Sequence, residues 1–383
     1  MSEWKLKDCC LSISDGDHQP PPKTAEGIPF ITISNIDSTN HIDFSDTLFV
    51  PQDYYDRLDP VRKAKPNDII YSVVGSFGKP VLIKDDRPFV FQRHIAILRP
   101  SNDIADSRFL YYVLLSRDFY MQADIVAIGA AQRTISLSSL RNMKVNLPDL
   151  PTQHRIADIL SRYDSLIENY QKQIKLLEEA AQRLYKEWFV DLHFPGHENT
   201  KIVDGVPEGW EKKKVGCLIR KVQRSKQVPT AKYKNTGIIP VIDQSRNYIA
   251  GYTDDFECLI ELDVPAIIFG DHTRILKYIT FPFAKGADGT QLIVSNDFDR
   301  MPQVLFYHSL LNIDLSNYSY ARHFKYLKEE EIIIPTTTLA SKYNQIAAIY
   351  YQAIQTNRYQ IRLITEARDR LLPKLMSGEI EIK

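Results

Sequence analysis

The chain has 383 residues, room for two or three domains that each bury a core of their own. Hydrophobic residues make up 44%, charged residues 25% and aromatic residues 11%, which excludes a disordered or fibrous chain. The 48 basic and 48 acidic residues cancel, so any affinity for nucleic acid needs cations gathered on one surface.

No apolar run approaches the roughly 20 residues needed to cross a bilayer, and MSEWKLKDCC at the start lacks the apolar stretch of a signal peptide; a cytoplasmic protein is expected. Cys9, Cys10, Cys217 and Cys258 form neither a CxxC pair nor a cluster with histidine. They read as small buried or idle thiols, with zinc and redox motifs unsupported.

Taken in chain order, each segment of the first half has a counterpart in the second. Trp4 in EWKLKDCCLSI corresponds to Trp210 in GWEKKKVGCLI, and GIPFITI at 27–33 to GIIPVID at 237–243. DIIYSVVGSFGK at 68–79 is an apolar, β-branched run stopped by glycine and polar residues, which predicts a strand and a tight hairpin; VPAIIFGDHTRILK at 264–277 repeats it. FLYYVLLS at 109–116 matches VLFYHSLL at 304–311, and AQRTI at 131–135 matches ARHFK at 321–325. Both copies then reach a short strand and a proline, KVNLP ending at Pro148 and IIIP ending at Pro335. The helical stretches that follow contain QIKLLEEAAQRL from Gln173 and QIRLITEARDRL from Gln360, with seven identities at an offset of 187. An internal repeat of this kind decides the architecture.

The expected order is domain (1–150), helical arm (151–195), domain (196–336), arm (337–383). In the first arm Ile156, Leu160, Tyr163, Ile167, Tyr170, Ile174, Leu177, Ala181, Leu184 and Trp188 recur at steps of four and three, the narrow seam of a coiled coil. The second arm repeats the seam at the same offset, with Asn357 and Arg368 as polar members that can set register. Arms of about 40 residues would be rods of about 60 Å. The simplest burial for two such seams is against each other, antiparallel, giving an α+β protein: two pseudo-two-fold related mixed α/β domains separated by a coiled coil of two long helices. The alternative is that each arm is a core helix of its own domain. The front of the second arm, NQIAAIY, aligns better with HRIADIL at an offset of 190, and a three-residue shift there would overwind the coil.

Catalytic signatures are missing. GxxxxGK[ST], GxGxxG after a strand, HExxH and GxSxG do not occur, and QPPPK at 19–23 lacks both ends of the Asn/Asp-Pro-Pro-Tyr loop of amino-methyltransferases. No catalytic or metal-binding residue is assigned. A repeated domain held at a fixed distance from its copy suits a reader of a two-part site on a long polymer, such as two half-sites roughly 34 Å apart on a duplex.

LPDLPTQHRIADILSRYDSLIE followed by LYKEWFVDLHFPG resembles the central conserved helix, and its exit, of the specificity subunits of type I restriction-modification enzymes (the HsdS family). VPEGWEKKKVG resembles the opening of the family's second target-recognition domain, IIFGDHTRILKYITFPFAKGADGTQ a segment of such domains, and RLLPKLMSGEIEI the closing conserved segment. The resemblance covers nearly the whole chain. It implies a non-catalytic subunit for phage defence by DNA methylation and restriction, whose two target-recognition domains each read half of an interrupted double-stranded DNA site. It also implies that the helices set the gap and dock two modification (methyltransferase) subunits, which bind S-adenosylmethionine, and that ATP-dependent restriction subunits join them.

Base readout needs side chains that fork toward base edges, so loop residues are the candidates. In the first domain these are Ser76 and Lys79, then Gln92, Arg93 and His94, then Gln132, Arg133 and Thr134. In the second they are His272, Thr273, Arg274 and Lys277, then Gln291, then Tyr320, Arg322 and His323. Lys79, Lys277 and the acid-free run from Lys212 to Lys234, including Lys213, Lys214, Arg220, Lys221 and Arg224, are expected on phosphates. Ser76 and Gln291 have a plainer reading as turn caps, and His94 as a sheet histidine. Arg133 and Arg322 fall at matching places before the last strand, which favours a shared contact over a sequence-reading one. Trp188 and Phe189, in the apolar exit of the first arm, are either tucked under a domain or covered by a modification subunit. An enzyme with unrecognised motifs would show activity as the purified chain, and a scaffold without nucleic acid would show no salt-dependent DNA binding.

Overall fold

The computed structural model describes residues 2–16, 21–37, 39–129, 133–203, 205–223, 225–287, 289–318 and 322–380. The chain divides into two compact units, Met1–Glu168 with Ile361–Lys383, and Asn169–Gln360. Both divisions fall inside long helices.

In the first unit Ile69–Ser72 is the central strand of its sheet. It pairs antiparallel with Pro80–Leu82 on one side and with Ile95–Pro100 on the other, and the latter pairs with Cys10–Asp15. The strand is apolar without alternation because both its faces are covered. Ile69 and Tyr71 join a core with Phe109, Tyr112 and Phe119, while Ile70 joins Ile31, Phe91 and Ile97. A second sheet holds Ile28–Ile31 antiparallel to Leu48–Val50 and parallel to Val90–Phe91. The helix Ser107–Leu115, whose first turn is capped by the Asp106 carboxylate, packs in the first core. Ile156, Leu160, Leu372 and Leu375 of the long helices complete it.

The second unit repeats this plan. Ala266–Gly270 lies between Leu276–Ile279 and Thr290–Ile293, both antiparallel, and a bridge joins Ile219 to Ser295 where the first unit has Cys10–Asp15. Ile239–Ile242 pairs antiparallel with Gly251–Thr253 and parallel with Phe283–Lys285. One parallel pair at the same place in both units confirms the duplication that the sequence predicts. The helix Gln303–Leu311 takes the part of Ser107–Leu115.

The strand pairs that close the units correct one detail of the repeat. Ser2–Lys5 pairs with Lys144–Leu147, placing Trp4 opposite Val145; Glu211–Lys214 pairs with Glu331–Ile334, placing Lys213 opposite Ile332. Trp4 therefore corresponds to Lys213. Trp210 precedes its strand and is buried against Phe189 and Phe194.

The long helices are Leu150–Tyr185, continued by a π-helical turn Lys186–Val190, and Thr337–Ser377. With the π turn included, both ends lie 187 residues apart. Burial keeps that register from the first turns: Ile156 and Tyr343, Leu160 and Ala347, Ile167 and Ile354, Trp188 and Leu375 are all buried. The expected three-residue shift is therefore not made. Offset 190 would equate Ile156 with Ile346, which is only half-buried, while fully buried Tyr343 takes the seam position. In the first unit the two helices run antiparallel, with Ile156 and Leu160 near Leu372 and Leu375 and Asp164 bonded to Arg368 at 2.7 Å. In the second, Glu178 meets Arg358 at 2.9 Å and Trp188 packs on Tyr343, again antiparallel.

Candidate nucleic-acid interface

In the first unit three loops converge at one end of the central sheet. Ser72 folds the first: its hydroxyl donates to the Ser76 carbonyl at 2.9 Å and accepts from the Lys79 amide at 2.9 Å. The Val73 amide donates to the His94 carbonyl and the Gly75 amide to the Arg133 carbonyl, both at 2.9 Å, drawing the second and third loops alongside. A pocket of about 320 Å³ opens among them, lined by Asp15, Val73, Val74, Arg93, His94 and Thr134 with their neighbours. Ser76, Arg93 and Thr134 are exposed; Lys79, Gln92, His94 and Arg133 are half-buried. Burial and the adjacent Arg93 charge hold the His94 imidazole below its usual pKa, favouring its neutral form. Arg133 is largely committed within the protein, paired with the Asp124 carboxylate and lying over the Phe77 ring at 5.3 Å. Its segment bridges to Val74 and Ile128 and leads into the short helix Leu137–Asn142, not directly into the last strand. Gln132 lies outside the described residues.

The second unit assembles the corresponding edge with different side chains. The turn after Ala266–Gly270 carries His272, Thr273 and Arg274, all exposed, with Arg274 in the left-handed region at φ +62°. Gln244, which sequence reasoning missed, grips this turn. Its carbonyl oxygen accepts from the Thr273 hydroxyl at 2.7 Å and its side-chain oxygen from the His272 amide at 3.1 Å. A Cβ on Gly270 or Gly289 would lie 2.8 Å or less from Gln244, so the two glycines permit the close approach. Arg274 donates to the Leu315 carbonyl at 3.0 Å. The Asp271 carboxylate accepts from the Phe324 amide at 2.8 Å, and its carbonyl from the His323 amide at 2.9 Å, fixing the helix His323–Glu329 beside the turn. Arg322 is exposed at its start, Gln291 is half-buried in a strand, and Tyr320 lies outside the described residues.

Two candidates here are corrected. Lys277 sits in mid-strand opposite Ile268, with its side chain 5% exposed; its ammonium donates to the carbonyls of Asp243 (2.8 Å) and Asn247. Burial pushes its pKa down to about 8. It braces the loop that holds Gln244 and cannot reach a phosphate. His323 is likewise buried, its Nδ1 without a hydrogen-bond partner among the described residues, and is not a surface contact.

Comparison with known proteins agrees with this architecture. Residues 6–179 match the family model described as the type I restriction modification DNA specificity domain. The type I restriction enzyme MjaIX specificity subunit of Methanocaldococcus jannaschii is 27% identical over 304 residues, 72% of this chain and 70% of that one. The HindI specificity subunit of Haemophilus influenzae is 29% identical over 131 residues, 33% of this chain and 28% of the relative. A crystal structure of a type I restriction-modification S subunit from M. genitalium superposes with a TM-score of 0.56 at 17% identity, covering 100% of this chain and 96% of that one, which supports the shared fold. By these measures the chain is similar to type I restriction-modification specificity subunits.

Among the described residues no group of three or more His, Cys, Asp or Glu side chains could hold a metal ion, and no helix is long and apolar enough to cross a membrane.

The basic run from Lys212 to Lys234 is less cationic than its sequence suggests. Acids from distant segments pair with Lys214 (Glu329, 2.8 Å), Arg220 (Asp263, 3.0 Å), Lys226 (Asp255, 2.9 Å, and Glu257, 2.7 Å) and Lys234 (Asp254, 2.7 Å), and Glu211 pairs with Lys213 at 3.0 Å. Lys212 and Lys221 are exposed with no partner among the described residues, and Arg224 lies outside them.

Trp188 and Phe189 are buried at 8% and 4% exposure. The π turn aims both at Tyr343, with ring centroids at 5.9 and 5.1 Å, and Phe189 also meets Trp210 at 5.7 Å. Of the two sequence readings, the structure takes the tucked one, and this pair is not a free docking surface.

Proposed function

We propose that each unit reads one half of a bipartite, interrupted DNA site through the loop edge just described, while the two long helices set the gap and dock two methyltransferase subunits. In this reading S-adenosylmethionine is held by those partners, ATP-dependent restriction subunits join them to cut unmodified DNA, and the assembly works in the cytoplasm. The observation that supports it best is one scaffold built twice, with the same three loop positions at one sheet edge carrying different side chains. A shared frame suits a shared task on backbone, and unlike loop residues suit unlike half-sites. Helices of 36 and 41 residues, about 54 and 62 Å long, are of the scale needed to separate half-sites on a duplex.

The test is methylation mapping of DNA from cells that carry this subunit with its modification partners. One interrupted motif with modified bases in both halves is expected. Absence of any motif, or a continuous one, would count against the reading.

A further inference from the structure

Resting on that reading, a further step concerns the base pair that one side chain reads. Both units place a turn between their parallel-paired strand and the next strand of the central sheet, and they fill it differently. In the first unit it is Gln92-Arg93-His94; in the second the stretch of sequence between Lys285 and Thr290 has no cation. Arg93 is exposed and makes no hydrogen bond or ion pair among the described residues. Its backbone, by contrast, is held firmly. The Ile95 amide donates to the Gln92 carbonyl at 3.1 Å, the Gly16 amide to the Ile95 carbonyl at 3.1 Å, and the Val73 amide to the His94 carbonyl at 2.9 Å. A Cβ on Gly16 would lie 2.2 Å from the Phe91 carbonyl oxygen, so the adjoining strand end abuts the turn directly.

A fixed backbone with an uncommitted guanidinium at the mouth of a pocket is a preorganised donor fork. The pocket is lined by the apolar Val73, Val74 and Ile135 and by Asp15 beside Arg93 and His94. A carboxylate in the same pocket repels a phosphate, so these surroundings favour a base edge over the backbone. Arg133 is unsuited to the same task because Asp124 and Phe77 already engage it.

We infer that Arg93 reads a guanine in the half-site of the first unit by donating to its O6 and N7 atoms, and that the second unit makes no equivalent contact. The two half-sites then differ at that position because their turns differ.

The experiment uses the complete complex with its modification subunits, prepared with wild-type, Arg93→Ala and Arg93→Lys chains. Binding is measured to the mapped site and to duplexes with each base pair of the first half-site changed in turn. The wild type is expected to favour guanine at one position by roughly 10- to 100-fold. Arg93→Ala loses that preference at that position alone and keeps its discrimination in the second half-site; Arg93→Lys retains a weaker guanine preference. Equal weakening on every duplex with a shallower salt dependence would make Arg93 a backbone contact and overturn the assignment, as would an unchanged profile. A wild-type complex with no bipartite discrimination would overturn the proposed function itself, a separate result.

Discussion

Arg368 of the second long helix donates to the Asp164 carboxylate of the first at 2.7 Å, and the same carboxylate accepts the Tyr112 hydroxyl at 2.5 Å. Arg368 is one of the two polar interruptions of the second seam, with Asn357. Its side chain is 16% exposed and that of Asp164 15%. One buried triad thus ties both helices of the first unit to its core helix Ser107–Leu115. Removing only one partner leaves an uncompensated charge, so Arg368→Ala should destabilise the first unit by about 3 kcal/mol. Replacing both residues by apolar ones should cost much less. Chemical denaturation of the two single variants and the double variant measures the coupling, and purely additive losses would show that the pair does not hold the helices.

Glu168, at the edge of the same unit, accepts from His41 Nε2 at 3.0 Å and also pairs with Lys84. The His41 hydrogen bond is the main cause that pulls the Glu168 pKa down to about 2, and the His41 pKa is raised in return, chiefly by the same bond. A depressed carboxylate stabilises above its unfolded pKa, and a raised imidazole stabilises below its own. The contribution is therefore greatest between about pH 4.5 and 6.5. Because these side chains are a third or more exposed, it should not exceed about 1 kcal/mol. Glu168→Gln should lower stability in that window and have less effect at pH 8, as a denaturation series over pH would show.

The buried Lys277 has the opposite sign. Its folded pKa of about 8 lies below the unfolded value, so above pH 8 the unfolded chain binds the extra proton and stability rises with pH. Between about pH 8 and 10 wild-type stability should gain on the order of 2 kcal/mol relative to Lys277→Met, which lacks the titrating group. Parallel curves for the two proteins in that range would show that the ammonium is not desolvated.

Exposed cations should differ according to whether a carboxylate already occupies them. Lys212→Ala and Lys221→Ala should each weaken DNA binding by the complete complex to a similar extent on all sequences, and each should reduce the salt slope by about one. Lys226→Ala should change the slope less, because Asp255 and Glu257 already pair with it. Affinity measured across a salt series distinguishes them, and equal slopes for all three variants would mean that the ion pairs do not matter.

The duplication was legible because it resides in local chemistry: runs such as IIYSVV and AIIFG are buried on both faces, and seams at steps of four and three repeat 187 residues apart. Alignment by residue identity failed where burial and identity diverge. Trp4 and Trp210 look alike but occupy different places, and NQIAAIY imitates HRIADIL although Tyr343 holds the seam position. The candidate loops were likewise visible as breaks between apolar runs, but the role of Gln244 was not, since it depends on a turn 28 residues further on.

What the sequence determined by itself, then, was two copies of a mixed domain, each with a long helix, because periodicity and β-branched runs act through near neighbours along the chain. Only the tertiary structure decided which polar side chains remain available. Asp164 answers Arg368 across 204 residues, Glu329 answers Lys214 across 115, and the carbonyls of Asp243 and Asn247 take Lys277 out of solvent. Arg93 stays uncommitted for the same physical reason: the fold brings no acceptor to it among the described residues, while hydrogen bonds hold the turn that presents it.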